Sequence, residues 1–493
     1  MKPTRGQAPR RRRLLAASLA LLVLGAAAAV IVVERAGVAP RQLGPYLAQR
    51  ASGHQHLVSA GGSWLGAQLV RLDRGRGVQD GAGDLRLGAQ DAPAGSDTAG
   101  RIVLVGNPDE LRTALARAEP GDAITLLPGR YRIAAPLAAG RPGSEAAPIV
   151  VRARRPGSVT LEQEGIEGFR ISAPYWRFEN LVLRGTCADD AGCEHAFHVA
   201  GAAHHVALVN NTVVDFNAHI KINGEGGQFP DHGLAEANTL TNTHARRTAN
   251  PVTPVDLVAA SGWTIRRNLI SDFVKAGGNG VSYGAFAKGG GTGNVFEQNL
   301  VWCERRLSGA PGQRIGLSFG GGGTGKAYCR DRTCVVEQQG STMRSNLVAG
   351  CSDVGIYLNN AAQSSILHNS VIDTAGVDVR FPGSSADLEG NLVDGAIRSR
   401  NGGVVRARDN LDAAPIHAYL GYHPVRALYA TQGFGWRGAP VRREGASGVP
   451  ADLCGQARAP APAYGAFEDF AACLAPAAAT SAAPATSSSS AAN

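Results

Sequence analysis

The chain has 493 residues, with 64 glycines, 18% charged and 6% aromatic residues, and enough Val, Ile and Leu for a core. Such a composition excludes a disordered chain and points to a turn-rich fold, and the length does not demand several domains, because a solenoid can use it in one. The net charge of +9 suits an acidic glycan or an anionic envelope better than nucleic acid, since no patch interleaves basic and aromatic residues.

The first residues, MKPTRGQAPRRRR, precede an uncharged run at 14–33, LLAASLALLVLGAAAAVIVV, long enough for a bilayer span. The segment 1–34 is therefore expected to be an export signal or membrane anchor. Ala26 to Ala29 offer a small-residue cleavage site, but the run continues to Val33, and the balance favours an uncleaved anchor. Arg10 to Arg13 would keep the N-terminus in the cytoplasm and place the rest outside, in the periplasm or beyond. Residues 35–100 are rich in Gly, Ala, Arg and Gln with weak periodicity and read as a linker, with at most a short packed segment around His56 to Val70.

From Ile102 the pattern changes to strand, then a helix from about Pro108 to Arg117, then strand and turn. A helix there would cap the open end of a solenoid. A repeat of the form apolar, two residues, Asn, one residue, apolar then recurs at Leu208/Asn211/Val213, Ile265/Asn268/Ile270, Phe296/Asn299/Val301, Met343/Asn346/Val348, Ile366/Asn369/Val371 and Leu388/Asn391/Val393. Weaker copies sit at Asn180, Asn238 and Asn410. Such spacing predicts stacked coils whose asparagine amides pair with those above and below. The fold expected is all-β, a right-handed parallel β-helix over 101–440. A C-terminal extension follows at 441–493 and ends in an Ala/Ser/Pro-rich tail read as disordered.

All eight cysteines follow the apolar run, and an even count in an exported chain favours disulfides. Cys187 with Cys193, Cys329 with Cys334 and Cys454 with Cys473 are the expected bridges. Cys303 and Cys351 lie just after asparagines of successive coils, either as a fourth bridge or as stacked buried thiols. No CxxC or paired-His spacing supports a zinc site.

About ten residues before each asparagine lies another short strand, at 196–201, 219–224, 255–261, 280–288, 314–321, 355–360, 377–381 and 396–400. Stacked, these make one parallel sheet in which Ile220 and Ile222 face the core while His219, Lys221 and Asn223 face solvent.

On these features, together with the segment PGDAITLLPGRY after the cap and AFAKGGGTGNVFEQN, the chain resembles the pectate-lyase-like β-helix superfamily. Within it, the chain is most similar to the chondroitinase B and alginate lyase family, over roughly 100–430. The resemblance implies β-elimination on an acidic polysaccharide, with a cation neutralising the uronate, a lysine taking the C5 proton and an arginine assisting. Lys288 lies near where that family carries its lysine. The family's calcium-binding acids should precede it, yet 279–287 reads NGVSYGAFA. The arginine expected on the next strand is missing too, with Arg314 only at that strand's start. Calcium is the cofactor the resemblance suggests, but its acidic ligands are not found, and no metal site is assigned.

The outward positions give the expected site. Lys221 or Lys288 is the base, Arg314 and Arg380 hold carboxylate or sulfate, and Tyr357 donates the leaving-group proton. His219, Asn223, Asp256, Asn359 and Asp378 line the substrate path. The blander alternative is that exposed strands carry such residues for solubility, Asp378 with Arg380 being an ordinary surface pair. The partner expected is an acidic polysaccharide or envelope glycan, the chain is expected to be monomeric, and the competing function is a non-catalytic envelope protein that binds glycan on the same sheet.

Overall fold

The computed structural model describes residues 17–18, 24–25, 27–28, 30–75, 77–78, 86–93, 100–321, 323–429, 434–445 and 447–474. The basic leader, half of the run 14–33 and the tail expected to be disordered lie outside the described residues. Among the described residues, no helix is long and apolar enough to cross a membrane.

The chain winds as a right-handed parallel β-helix. Three long sheets of 12, 10 and 11 strands run its length, and successive coils add one strand to each. A typical coil places Ala207–Val209 in the first sheet, Thr212–Val214 in the third and Ala218–Asn223 in the second. The strands are short because each coil must close, and their inward positions are apolar because every coil buries one face against its neighbours. The core is one continuous column, running from Val105 and Leu111 through Phe178, Leu208 and Ile265 to Leu388 and Val393.

The asparagine ladder forms as the repeat predicts. The Asn299 amide donates to Asn346 Oδ1 at 2.9 Å, and Asn299 Oδ1 accepts from the Asn268 backbone at 3.1 Å and its amide at 2.9 Å. The same pairing runs from Asn211 through Asn238, Asn268, Asn299, Asn346, Asn369 and Asn391 to Asn410. Two details differ from expectation. The left-handed residue of each turn is the one before the ladder asparagine, for example Gln298 (φ 54) and Ser345 (φ 51). Asn180 also falls one place early. It pairs with Asn210, and the ladder position of its coil is Leu181, whose N–H donates to Asn211 Oδ1.

The helix Pro108–Ala116 closes the N-terminal end, with Leu111 and Leu115 buried against the core. Asn107 caps it by accepting from the N–H groups of Asp109 and Glu110. At the other side the C-terminal extension doubles back along the outer face of the 11-stranded sheet. There Tyr429, Phe434, Leu453, Phe467 and Phe470 cover Leu300, Trp302, Leu347 and Ile372. All four disulfides are formed: Cys187–Cys193, Cys303–Cys351, Cys329–Cys334 and Cys454–Cys473.

The region read as a linker is the largest departure. Pro40–Ala51 and His56–Arg74 form a helical hairpin. Its helices meet at Gly44 and Gly66, where a Cβ on either residue would lie 2.5 Å from the other's carbonyl oxygen. Small residues rather than a leucine stripe make this contact, so hydropathy periodicity does not announce it. The hairpin is clamped to the coils around residue 373 by Arg41. Its guanidinium reaches Asp73 at 2.6 Å and Asp373 at 2.9 Å and donates to the Cys351 carbonyl at 2.8 Å.

Candidate functional site

Of the three outer faces, one gathers polar and ionisable side chains into clusters. The 11-stranded sheet is covered by the C-terminal extension. The 12-stranded sheet carries cross-strand ion pairs such as Arg266 with Glu236, Arg344 with Glu297 and Arg406 with Asp387. The 10-stranded sheet remains. Parallel pairing aligns its outward side chains in one row: Arg170, His198, Lys221, Asp256, Phe286, Ser318, Tyr357, Asp378 and Arg398. A second row holds Asn223, Val258 and Lys288, then Asn359, Arg380 and Arg400.

Two polar clusters stand on these rows. In the first, Lys221 Nζ lies 2.9 Å from Asp256 Oδ1 on the next strand. On the strand before, His198 Nδ1 is 2.6 Å from Glu167 Oε1 and 2.8 Å from Arg170 Nη1, while its Nε2 is 2.7 Å from Asn223 Oδ1. Arg170 also pairs with Glu225 at 2.5 Å. His195 packs edge-on against His198, with ring centroids 5.2 Å apart. Burial, and then the charges of His198 and Lys221, push its imidazole down to about 4.

The second cluster lies further along. Arg400 pairs with Asp378 at 2.8 Å, Arg398 approaches Asp378 at 3.5 Å, and Asn359 donates to the Tyr357 hydroxyl at 3.2 Å. Arg380 Nη1 stands 3.5 Å from that hydroxyl and its guanidinium lies 4.5 Å from the Phe381 ring centroid. Burial raises the Tyr357 phenol, opposed by Arg380. Tyr283 is raised by burial as well.

The expected residues thus divide. Lys221, Asn223 and Asp256 belong to the first cluster, and Tyr357, Asn359, Asp378 and Arg380 to the second. Four strand steps of ~4.8 Å separate Lys221 from Tyr357, about 19 Å, so the two cannot serve one glycosidic bond. Lys288 stands between the clusters with Nζ 4.4 Å from the Phe286 ring centroid.

Two expectations fail outright. His219, expected to face solvent, is fully buried. Its Nε2 lies 2.9 Å from the Thr241 carbonyl and desolvation lowers its imidazole to about 4. Arg314, expected to hold a carboxylate, is also buried. It is paired with Glu304 at 2.6 Å and donates to the Pro311 and Ala310 carbonyls, so it holds the 304–312 loop instead of a ligand. His219 is covered from the next coil, at Thr241, and Arg314 by the 304–312 loop that leads into its own strand, and alternation along the strand can foresee neither.

Sequence reasoning missed Glu167, Arg170, His195, His198 and Glu225. The signal for His198 was present, because alternation in AFHVAG puts it outward beside Lys221. Calcium does not fit the residues present. Glu167, Glu225 and Asp256 are each engaged by a nearby cation or imidazole, and no acid occupies 279–287. Among the described residues, no group of three or more His, Cys, Asp or Glu is arranged to hold a metal.

A comparison with curated proteins found no match. Among solved structures, pectate lyase Pel9A is 15% identical, covering 78% of this chain and 98% of its own, with a TM-score of 0.47. An alginate lyase from Paenibacillus sp. str. FPU-7 is 14% identical, covering 63% of this chain and 99% of its own, at 0.38. A PL6 family polysaccharide lyase from Pseudopedobacter saltans is 14% identical, covering 63% and 92%, at 0.31. The family model that matches is chondroitinase B, over residues 105–225, the stretch holding the capping helix and most of the first cluster, and it is this family that the chain resembles.

Proposed function

We propose that the open face of the 10-stranded sheet binds an acidic polysaccharide and that the first cluster cleaves it by β-elimination. The observation that carries this reading is the carboxylate–imidazole pair of Glu167 and His198 beside the cations Arg170 and Lys221, all on the outer side of one sheet. Arg170 and Lys221 offset the uronate carboxylate, which acidifies the adjacent C5–H. In the structure Nε2–H of His198 donates to Asn223 Oδ1; with Nδ1–H held by Glu167, loss of the Nε2 proton to solvent as substrate displaces Asn223 leaves Nε2 as the base. Nε2 takes the C5 proton, the electron pair forms the C4–C5 double bond, the C4–O bond breaks, and the leaving oxygen takes a proton from the Lys221 ammonium. The four disulfides support an exported protein working in an oxidising compartment.

The test is a panel of acidic glycans followed by the ultraviolet absorbance of an unsaturated uronate product. Expected is product from at least one glycan, lost in His198→Gln and Lys221→Ala variants that keep the wild-type melting profile. One observation favours the alternative of a glycan-binding protein without catalysis: each cation of the cluster already has a carboxylate partner. Binding without product from any glycan would decide for that alternative.

A further inference from the structure

The second cluster does not stand on an open sheet. The first helix of the hairpin runs beside it, and Val38, Gln42, Leu43 and Tyr46 form one wall of a cleft of about 610 Å³. Tyr283, Tyr357, Asp378, Arg380 and Arg400 of the sheet line its floor. The size falls within the range of small-molecule sites. Beneath the wall, Ile315, Val354, Tyr357 and Ala375 pack with Ala39, so the hairpin and the sheet meet through an apolar seam with the polar groups above it.

Two polar atoms of the lining, Arg380 Nε and Asp378 Oδ1, have no hydrogen-bond partner among the described residues, and Asn359 Oδ1 beside Tyr357 has none either. Asp378 and Asn359 are 2% and 6% exposed. Buried polar atoms left unmatched are costly, and their concentration in one cleft marks a place where a polar ligand completes the bonding. The free carboxylate oxygen of Asp378 takes a hydroxyl donor, and the Arg380 guanidinium takes an anionic oxygen. Tyr46, Tyr283 and Tyr357 add ring faces and hydroxyls. These requirements together describe a polyhydroxylated anion.

We infer that the cleft between the N-terminal hairpin and the sheet is a second sugar-binding site, which takes a uronate or sulfated sugar unit of the same polymer about 19 Å along the face from Lys221. This rests on the acidic-polysaccharide reading of that face and adds a requirement to it. A ligand long enough to reach both clusters binds more tightly than one that fills only the first, because the second contact is intramolecular once the first is made. The hairpin is then part of the binding apparatus.

The experiment measures dissociation constants of galacturonate and mannuronate oligomers of increasing length, from the dimer upward, for the full chain and for Arg380→Ala and Tyr46→Ala. Tyr46 is half exposed and its recorded contacts are to Arg50 on its own helix, so its replacement leaves the hairpin docked. Expected for Arg380→Ala is a loss of about tenfold or more for long oligomers with little change for the dimer, and a smaller loss of the same pattern for Tyr46→Ala. Long oligomers bound equally by wild type and both variants would overturn the cleft while leaving the polysaccharide reading intact. If wild type binds none of the oligomers at any length, both fall.

Discussion

Arg41 of the hairpin and Asp373 of the β-helix, 332 residues apart in the chain, meet at 2.9 Å with side chains only 1% exposed. Asp73 closes the triad from the second hairpin helix. A guanidinium shared by two buried carboxylates makes docking of the hairpin all or none. Removing it leaves Asp73 buried without its ion pair and Asp373 with only the longer pairs to Arg74 at 3.6 Å and Arg426 at 3.5 Å. Arg41→Ala is expected to cost about 3–5 kcal/mol and to release the hairpin without melting the coils. Limited proteolysis should then cut within 37–75 while the β-helix stays resistant, and an unchanged cleavage pattern would refute the clamp.

Lys221 and Asp256 should be energetically coupled. Each single alanine variant leaves a partner unpaired at a semi-buried site, so a double-mutant cycle on stability should give a coupling of about 0.5–3 kcal/mol. Turnover of a cleaved glycan should fall by about a hundredfold or more for Lys221→Ala. Additive stability effects would show that the contact is incidental.

The ladder predicts a steep cost for losing one amide from the middle. Asn299 links Asn268 to Asn346 and also donates to the Ile265 carbonyl at 2.8 Å. Asn299→Ala leaves several buried groups unmet and is expected to destabilise by about 3 kcal/mol or more. Asn299→Asp, which keeps the acceptor and loses the donors, should not restore it. Urea unfolding reads both.

Acid should weaken the fold from mild pH. Burial holds the His195 and His219 imidazoles at about 4, and burial with the nearby Arg458 and Arg443 holds His368 at about 3. Each value lies below the ~6.5 of an unfolded histidine. The unfolded chain therefore takes up protons first, so this contribution to stability is complete above pH ~6.5 and is lost as pH falls towards 4. The slope is about 1.4 kcal/mol per pH unit for each histidine. His219→Gln, which can still donate to the Thr241 carbonyl, should reduce the slope, measured as the urea midpoint between pH 7 and pH 4.5.

The disulfides should differ in worth. Cys303–Cys351 closes 48 residues and ties successive coils, whereas Cys329–Cys334 closes 5. By loop-closure entropy, replacing the first pair with serine should cost about 4 kcal/mol and the second about half as much. Calorimetry on the two double variants compares them directly, and equal melting points would contradict the estimate.

The repeat of apolar residues and asparagines was enough to specify the β-helix and the ladder, because these depend on interactions between identical positions of neighbouring coils, and the capping helix was legible from its own local pattern after Ile102. The same periodicity placed Lys221, Asn223, Asp256, Tyr357, Asn359, Asp378 and Arg380 on the outward face. Three things were decided only by tertiary structure. The burial of His219 comes from the next coil, and that of Arg314 from the loop before its own strand. The division of the candidate site into two clusters follows from strand order across the stack. The hairpin closes through a glycine contact and docks through polar pairs such as Arg41 with Asp373 and Arg74 with Glu304, neither of which leaves a hydropathy pattern. A local sequence fixes which way a side chain points from its own strand, but what lies over it is set by how loops and the hairpin pack in three dimensions, from a few residues away to as many as 332.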